Sequence, residues 1–458
     1  MRNGQSRPAG ARARLTVPDT EGKRTVRDVF CRAFGSRSSL GGRFLIIIIG
    51  IVATLIPTAQ SASAQEPQPS ASPAQKAGLT TEAEKPKSLG SVPPEELAEL
   101  FPDTEIARRL KHYRIRVYGW LEGGYTYSSA GSGLLTTAPT PNRFSNQFLF
   151  DAGWLIVERQ LSSEGWSWGF RSDFYAGADA ALLRPLNNFG PQGKRFGTDF
   201  RQLYLALHMP LLSKGGIDFQ VGRQNVPIGY ETVMAPYRTF YSSSYFWISY
   251  QVGSTAFTGT WHATQQLDLL AGLVLGYNTV FELRGRAPSY IAKATYWLDR
   301  DKKTALIGSV YNGPEPVPVA RGHLGKWQTI AELEVRRDWS RKFTQVFQAN
   351  SYCDADDPSV TRTSHAQGAA TTAVFHWKKE FDLNARGEWF RDEHGARTGI
   401  PGTYGEATVG LNVMPTPWIN LRPEVRGDFG SESFYGSAGL PDHKQTQLTV
   451  AMDLIFKF

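Results

Sequence analysis

Cysteine is nearly absent from this chain, with two among 458 residues, at Cys31 and Cys353. Cys31 lies in a basic leader and Cys353 at an expected strand end, so a fold stapled by a framework of disulfides is excluded. Long apolar runs are equally scarce. Beyond residue 64 no stretch approaches the ~18 apolar residues of a transmembrane helix, which excludes a helical membrane protein. No phosphate-cradling glycine loop, nucleotide fingerprint or metal-ligand spacing is present, so no cofactor is expected. A lasting charge surplus is missing too. The net charge is +8, but residues 1–64 hold ten Lys and Arg against three Asp and Glu. The remainder is close to neutral, which removes the electrostatic argument for a nucleic-acid partner.

What is present begins with the leader. An apolar run from Phe44 to Thr58 follows Arg43 and precedes Ala62-Ser63-Ala64, the order of a signal peptide's h-region and small-residue cleavage site. Cleavage is expected near Ala64. The run is too short for a membrane anchor and contains Pro57. Residues 65–112 form a second unit, with Pro67, Pro69, Pro73, Pro86, Pro93 and Pro94 among Ala, Ser, Glu and Lys. That composition reads as a solvated periplasmic linker. Within it Pro93-Pro94-Glu95-Glu96-Leu97 and Asp103-Thr104-Glu105-Ile106 have the form of two short helical starts broken by Pro102.

From residue 113 to 458 the chain divides into segments of about ten residues with period-two patterning, the length a tilted membrane strand requires. Sixteen are expected, the first over 113 to 127 and the last over 445 to 458. In the last, Leu448, Val450, Met452, Leu454, Phe456 and Phe458 share one face while Gln447, Thr449, Asp453 and Lys457 share the other. The fifteenth sets Ile419, Leu421, Pro423 and Val425 against Asn420, Arg422, Glu424, Arg426 and Asp428; the thirteenth sets Leu383, Ala385 and Trp389 against Asp382, Asn384, Arg386 and Glu388. A charge on lipid near the midplane costs about 2–4 kcal/mol, so the charged face must be the wet interior. Short links such as Ser162-Ser163-Glu164-Gly165 and Ser340-Arg341 alternate with long ones rich in Gly, Pro, Ser and Asn. Tight periplasmic turns and long outer loops follow that rule, and an even strand number returns both ends to the periplasm. The fold class is therefore all-β: a transmembrane antiparallel β-barrel of about 16 strands behind a signal peptide and linker.

Residues 113–458 resemble the β-barrel outer-membrane porin family described as OmpL-like. The resemblance rests on Gly119-Trp120-Leu121-Glu122-Gly123-Gly124-Tyr125-Thr126-Tyr127, on Gly222-Arg223-Gln224-Asn225-Val226-Pro227-Ile228-Gly229-Tyr230-Glu231, on Glu388-Trp389-Phe390-Arg391-Asp392-Glu393-His394-Gly395 and on the closing run to Phe458. It implies a bacterial outer-membrane location, passive passage of small hydrophilic solutes or ions, and no catalytic residues. The terminal Phe458 resembles the signal read by the barrel-assembly machinery.

A barrel of this size leaves an aqueous channel, whereas about eight strands would be filled by side chains. The longest outer connection, from Asn225 to about Ser254, carries Tyr230, Tyr237, Phe240, Tyr241, Tyr245, Phe246, Trp247 and Tyr250. Rings in that number should not stand in water. This third outer loop is expected to fold into the lumen and narrow it, with packing against other outer loops as the alternative. Candidate lumen residues are Arg114, Arg116, Arg171, Arg201, Arg223, Arg336, Arg386, Arg422 and Arg426 on the wall, and Glu231 and Arg238 on the loop. Glu122, Asp173, Glu332, Glu334, Glu388, Glu424 and Asp428 also point inward, which leaves charge selectivity open.

A plugged structural or adhesive barrel is the alternative function. A lipid hydrolase carried on a barrel is less favoured, since no motif pairs a histidine with a nucleophile. Expected partners are outer-membrane lipids, small solutes and the assembly machinery. Porins of this size are often homotrimers, but no feature of the lipid face marks an interface.

Overall fold

The computed structural model describes residues 101–458 apart from 136–140, 186–189, 192, 194, 248–252, 284, 286, 316, 320–321, 325–326 and 358–361. The expected signal peptide over 1–64, and the linker as far as residue 100, lie outside the described residues.

The second helical start is realised as helix α1, Glu105–Tyr113. Thr104 caps it, its Oγ1 accepting from the Ala107 N–H at 3.1 Å, and Glu105 pairs with Arg108 and Arg109 one turn on. Together these carry the helix two and a half turns instead of one. This corrects the first strand. Tyr113 closes the helix, Arg114 follows in the left-handed conformation at φ 58°, and the strand begins only at Arg116. Arg114 is exposed at this joint, outside the barrel wall. Thr104→Ala is expected to cost about 1 kcal/mol of helix stability, read as faster amide exchange at Ala107.

The barrel strands are β1 Arg116–Ser128, β2 Gln147–Arg159, β3 Ser167–Gly177, β4 Gly197–Met209, β5 Ile217–Asn225, β6 Gly253–His262, β7 Leu267–Val274 and β8 Ser289–Trp297. They continue as β9 Thr304–Pro314, β10 Trp327–Ser340, β11 Phe343–Asp357, β12 Arg362–Lys378, β13 Phe381–Asp392, β14 Gly402–Thr416, β15 Ile419–Gly430 and β16 Thr446–Lys457. Each pairs with its chain neighbours, and β16 pairs antiparallel with β1, with Trp120 opposite Lys457 and Tyr125 opposite Met452. The sheet is a closed 16-stranded barrel, as expected, so no strand edge faces lipid. Closure extends past β16: Gly119 and Phe458 exchange backbone hydrogen bonds of 2.7 and 3.0 Å. The Phe458 ring lies on Gly119, where a side chain would meet the ring and the Trp154 carbonyl.

Burial follows the two expected faces. In β16 Leu448, Val450, Met452, Leu454 and Phe456 are exposed, while Gln447, Thr449, Asp453 and Lys457 are buried. The alternation breaks at bulges, two of which lie on the wall next to the loop links of β1 to β4. The β1–β2 register passes from Glu122 opposite Ala152 to Gly123 opposite Phe150, leaving Asp151 as an extra residue. The β3–β4 register passes from Asp173 opposite Gln202 to Phe174 opposite Phe200, leaving Arg201 extra. In both places two successive residues are buried, Asp151 with Ala152 and Arg201 with Gln202. A bulge re-aims one side chain without disturbing the rest of the ladder.

Candidate functional site: the lumen and the third outer loop

The link between β5 and β6 is the third outer loop, and its described part spans residues 226–247. Its backbone bonds to side chains of the inner wall. The Glu424 carboxylate on β15 accepts from the N–H groups of Tyr241 and Ser242 at 2.9 and 3.1 Å. On β13, Glu388 accepts from those of Tyr245 and Phe246 at 2.6 and 2.9 Å. Cations of the same wall take the loop's carbonyls. Arg422 donates to Ala235 and Arg238, each at 3.0 Å, Arg386 to Ser242 at 3.0 Å, and Arg426 to Ser243 at 2.6 Å. A loop that leaves water must find partners for its peptide groups, and this charge-rich wall supplies both signs.

Side chains add to these bonds. Arg238 pairs with Glu122, and Glu231 pairs with Arg386 at 2.5 Å while accepting from the Ser244 N–H at 2.9 Å. The Tyr241 hydroxyl donates to Asp151 at 2.9 Å and that of Tyr245 to Asp428 at 3.0 Å. Three inner-wall glycines seat loop rings. A Cβ on Gly124 would stand 2.8 Å from the Tyr241 ring and one on Gly410 3.3 Å from Phe240, while Gly368 lies directly against Phe246.

The structure thus separates the sequence candidates. Glu231, Arg238, Arg386, Glu388, Arg422, Glu424 and Arg426 all belong to the contact between loop and wall. Arg171 on β3 pairs with Asp173 at 2.7 Å and Glu158 at 3.4 Å and approaches Met234 of the loop. Arg116 pairs with Glu158 at 3.0 Å. Arg223 pairs with Asp199 at 2.8 Å on β4. Arg114 is not brought to this set. Asp151 and Glu406 were not among the candidates. Asp151 escapes a period-two reading because its bulge shifts the phase, and Glu406, which pairs with Arg386 at 2.5 Å, lies inward on β14, where it is the one charged residue and the alternation is carried by Thr408, Asn412 and the apolar residues between them.

A third element completes one side of the site. The β3–β4 link holds the short helix α2, Ala178–Leu182, and Asp179 on it is buried. Burial pushes the Asp179 carboxyl up to about 6, against the pull of Arg238 and Arg143. A carboxyl raised above its ordinary value of 3.8 binds more protons folded than unfolded through that window. Its contribution therefore weakens as pH rises from about 4 to 6 and strengthens as pH falls. Amide protection at Leu183, which bonds the Asp179 carbonyl at 2.8 Å, is expected to increase from pH 7 to pH 4, and Asp179→Asn to flatten that dependence.

Among the described residues no group of three or more His, Cys, Asp and Glu is placed to hold a metal. The family model described as "Putative beta-barrel porin-2, OmpL-like" matches residues 114–458. No curated protein sequence matches the chain. Among solved structures, the outer membrane channel DcaP of Acinetobacter baumannii is similar at 11% identity and TM-score 0.51, covering 75% of this chain and 97% of the other. The anion-selective porin from Comamonas acidovorans is similar at 9% identity and TM-score 0.54, covering 75% and 99%. At these identities the likeness is one of fold.

Proposed function

Because the chain belongs to the beta-barrel porin-2, OmpL-like family, we propose that this outer-membrane porin passes small hydrophilic solutes or ions by diffusion through a lumen narrowed by the third outer loop. The observation that carries the narrowing is the set of four loop N–H groups bonded to Glu388 and Glu424. These tie the middle of the loop to the wall partway down the lumen, where it takes cross-section from the channel. Charged wall residues outside that contact would set ion preference. No residue has a catalytic role in this reading. Lipids on the apolar outer face and solutes in the lumen are the partners it assigns, delivery falls to the barrel-assembly machinery, and a homotrimer is its assembly.

Reconstitution into planar bilayers tests it. Stable conductance steps, arriving in threes for a trimer, are the expected result, and bilayers that stay silent would remove the porin reading. One observation favours a second reading, a plugged barrel: beneath the loop Glu388 is only 6% exposed and Glu424 4%. Liposome swelling with sugars of graded size separates the two, since a plug admits none of them.

A further inference from the structure

Most lumen arginines are bonded to the loop or to carboxylates, and among these Arg238 keeps two nitrogens without a partner among the described residues; two on the β4–β5 wall keep such donors side by side. Arg201 donates through Nε to Asn225 at 2.8 Å. Arg223 donates through Nη1 to Asp199 at 2.8 Å and to the Phe200 carbonyl. Arg201 Nη1 and both Nε and Nη2 of Arg223 are buried with no hydrogen-bond partner among the described residues, as is the Tyr175 hydroxyl on neighbouring β3. Arg201 is 1% exposed and Arg223 0%. Only Arg223 pairs with a carboxylate, Asp199, while the partner of Arg201 is the neutral Asn225, so the pair keeps an uncompensated positive charge away from bulk water. Buried donors and buried charge in this state call for an anionic acceptor.

The backbone is arranged to create the pair. Arg201 is the extra residue of the β4 bulge, which turns it inward beside Gln202. At the head of β6 Gly253 lies against both groups: a Cβ there would stand 3.1 Å from the Arg201 carbonyl, 3.4 Å from Arg223 Nε and 3.5 Å from Arg201 Nε.

We propose that Arg201 and Arg223 form a binding subsite for a small oxyanion, a carboxylate or phosphate group, on the inner wall of the barrel. The forked geometry of guanidinium suits such oxygens, and shelter from water strengthens each charged hydrogen bond. The function of the subsite, to draw anionic solutes into the channel, rests on the porin reading; binding itself does not.

The test therefore uses two readouts on the full chain. In detergent, thermal unfolding is followed against inorganic phosphate and, separately, acetate, at constant ionic strength. Saturable stabilisation of the wild type is expected, and the more effective anion identifies the oxyanion class. Arg201→Gln, which can still bond Asn225, should weaken the apparent affinity about ten-fold or more, the loss of one to two charged hydrogen bonds. Arg201→Lys should restore part of it. Gly253→Ala keeps both charges, sets a methyl group against both guanidinium Nε atoms and should weaken binding as well, so the proposal stays testable if Arg201→Gln does not fold.

The same anions are then titrated on single channels, where saturating reduction of current is expected in the wild type and not in Arg201→Gln. Wild-type stabilisation that does not saturate, or saturates equally in the variants, overturns the subsite. Saturable binding by a barrel that never conducts would leave the subsite and overturn the porin reading.

Discussion

Replacing Glu388 and Glu424 together by alanine is expected to raise single-channel conductance several-fold and to admit larger sugars in liposome swelling. Each carboxylate accepts two N–H groups from the middle of the third outer loop, and hydrogen bonds to a charged partner contribute about 1.5–3 kcal/mol each. Losing four of them leaves loop peptide groups without acceptors, and the loop regains acceptors most readily by moving into water. The strand ladders are untouched, because both carboxylates are side chains on the inner face of β13 and β15. The barrel should therefore still resist heating in detergent as a compact, fast-migrating band. Equal conductance in variant and wild type, with the barrel intact, would show that this loop does not limit the channel.

Arg422→Met is expected to produce the largest loss of stability, about 3–5 kcal/mol, because it leaves buried carboxylates uncompensated. Arg422 is among the largest fully buried side chains. It bonds Asp453 through both Nε and Nη2, reaches Glu122 at 3.2 Å and holds the carbonyls of Ala235 and Arg238. One side chain thus joins β15, β16, β1 and the loop across the seam where the barrel closes. Urea unfolding in lipid vesicles, followed by tryptophan fluorescence, gives the loss directly. Adding Asp453→Leu should recover part of it, since removing both partners of a buried pair costs less than orphaning one. A loss below about 1 kcal/mol for Arg422→Met would mean that water, not the guanidinium, compensates Asp453.

Much of the fold was legible from residue order. The faces of β13, β15 and β16 could be read because a wall with lipid on one side and water on the other imposes a two-residue period wherever no bulge interrupts the strand. The misplaced start of β1 has a local cause: the Thr104 cap and the pairing of Glu105 with Arg108 and Arg109 extend a helix through Tyr113, over residues that also suit a strand. The loop candidates Glu231 and Arg238 were legible from the aromatic content around them. Asp151 differs in kind, since a bulge depends on how two strands register, and no pattern within β2 marks the residue that will be extra.

By itself, then, the amino-acid order determined the class, the closed barrel with paired ends, the sign of each face and the loop most in need of burial. These follow from alternation and link length, which are properties of neighbouring residues. Only the tertiary structure decided which lumen charges are spent and which are available. Arg386, Arg422 and Arg426 look like free wall cations in sequence but are bonded to a loop 144 to 187 positions away, while Arg201 and Arg223 keep N–H groups without a partner among the described residues. That distinction rests on contacts between distant segments and on one strand bulge, and charge alone carries no trace of either.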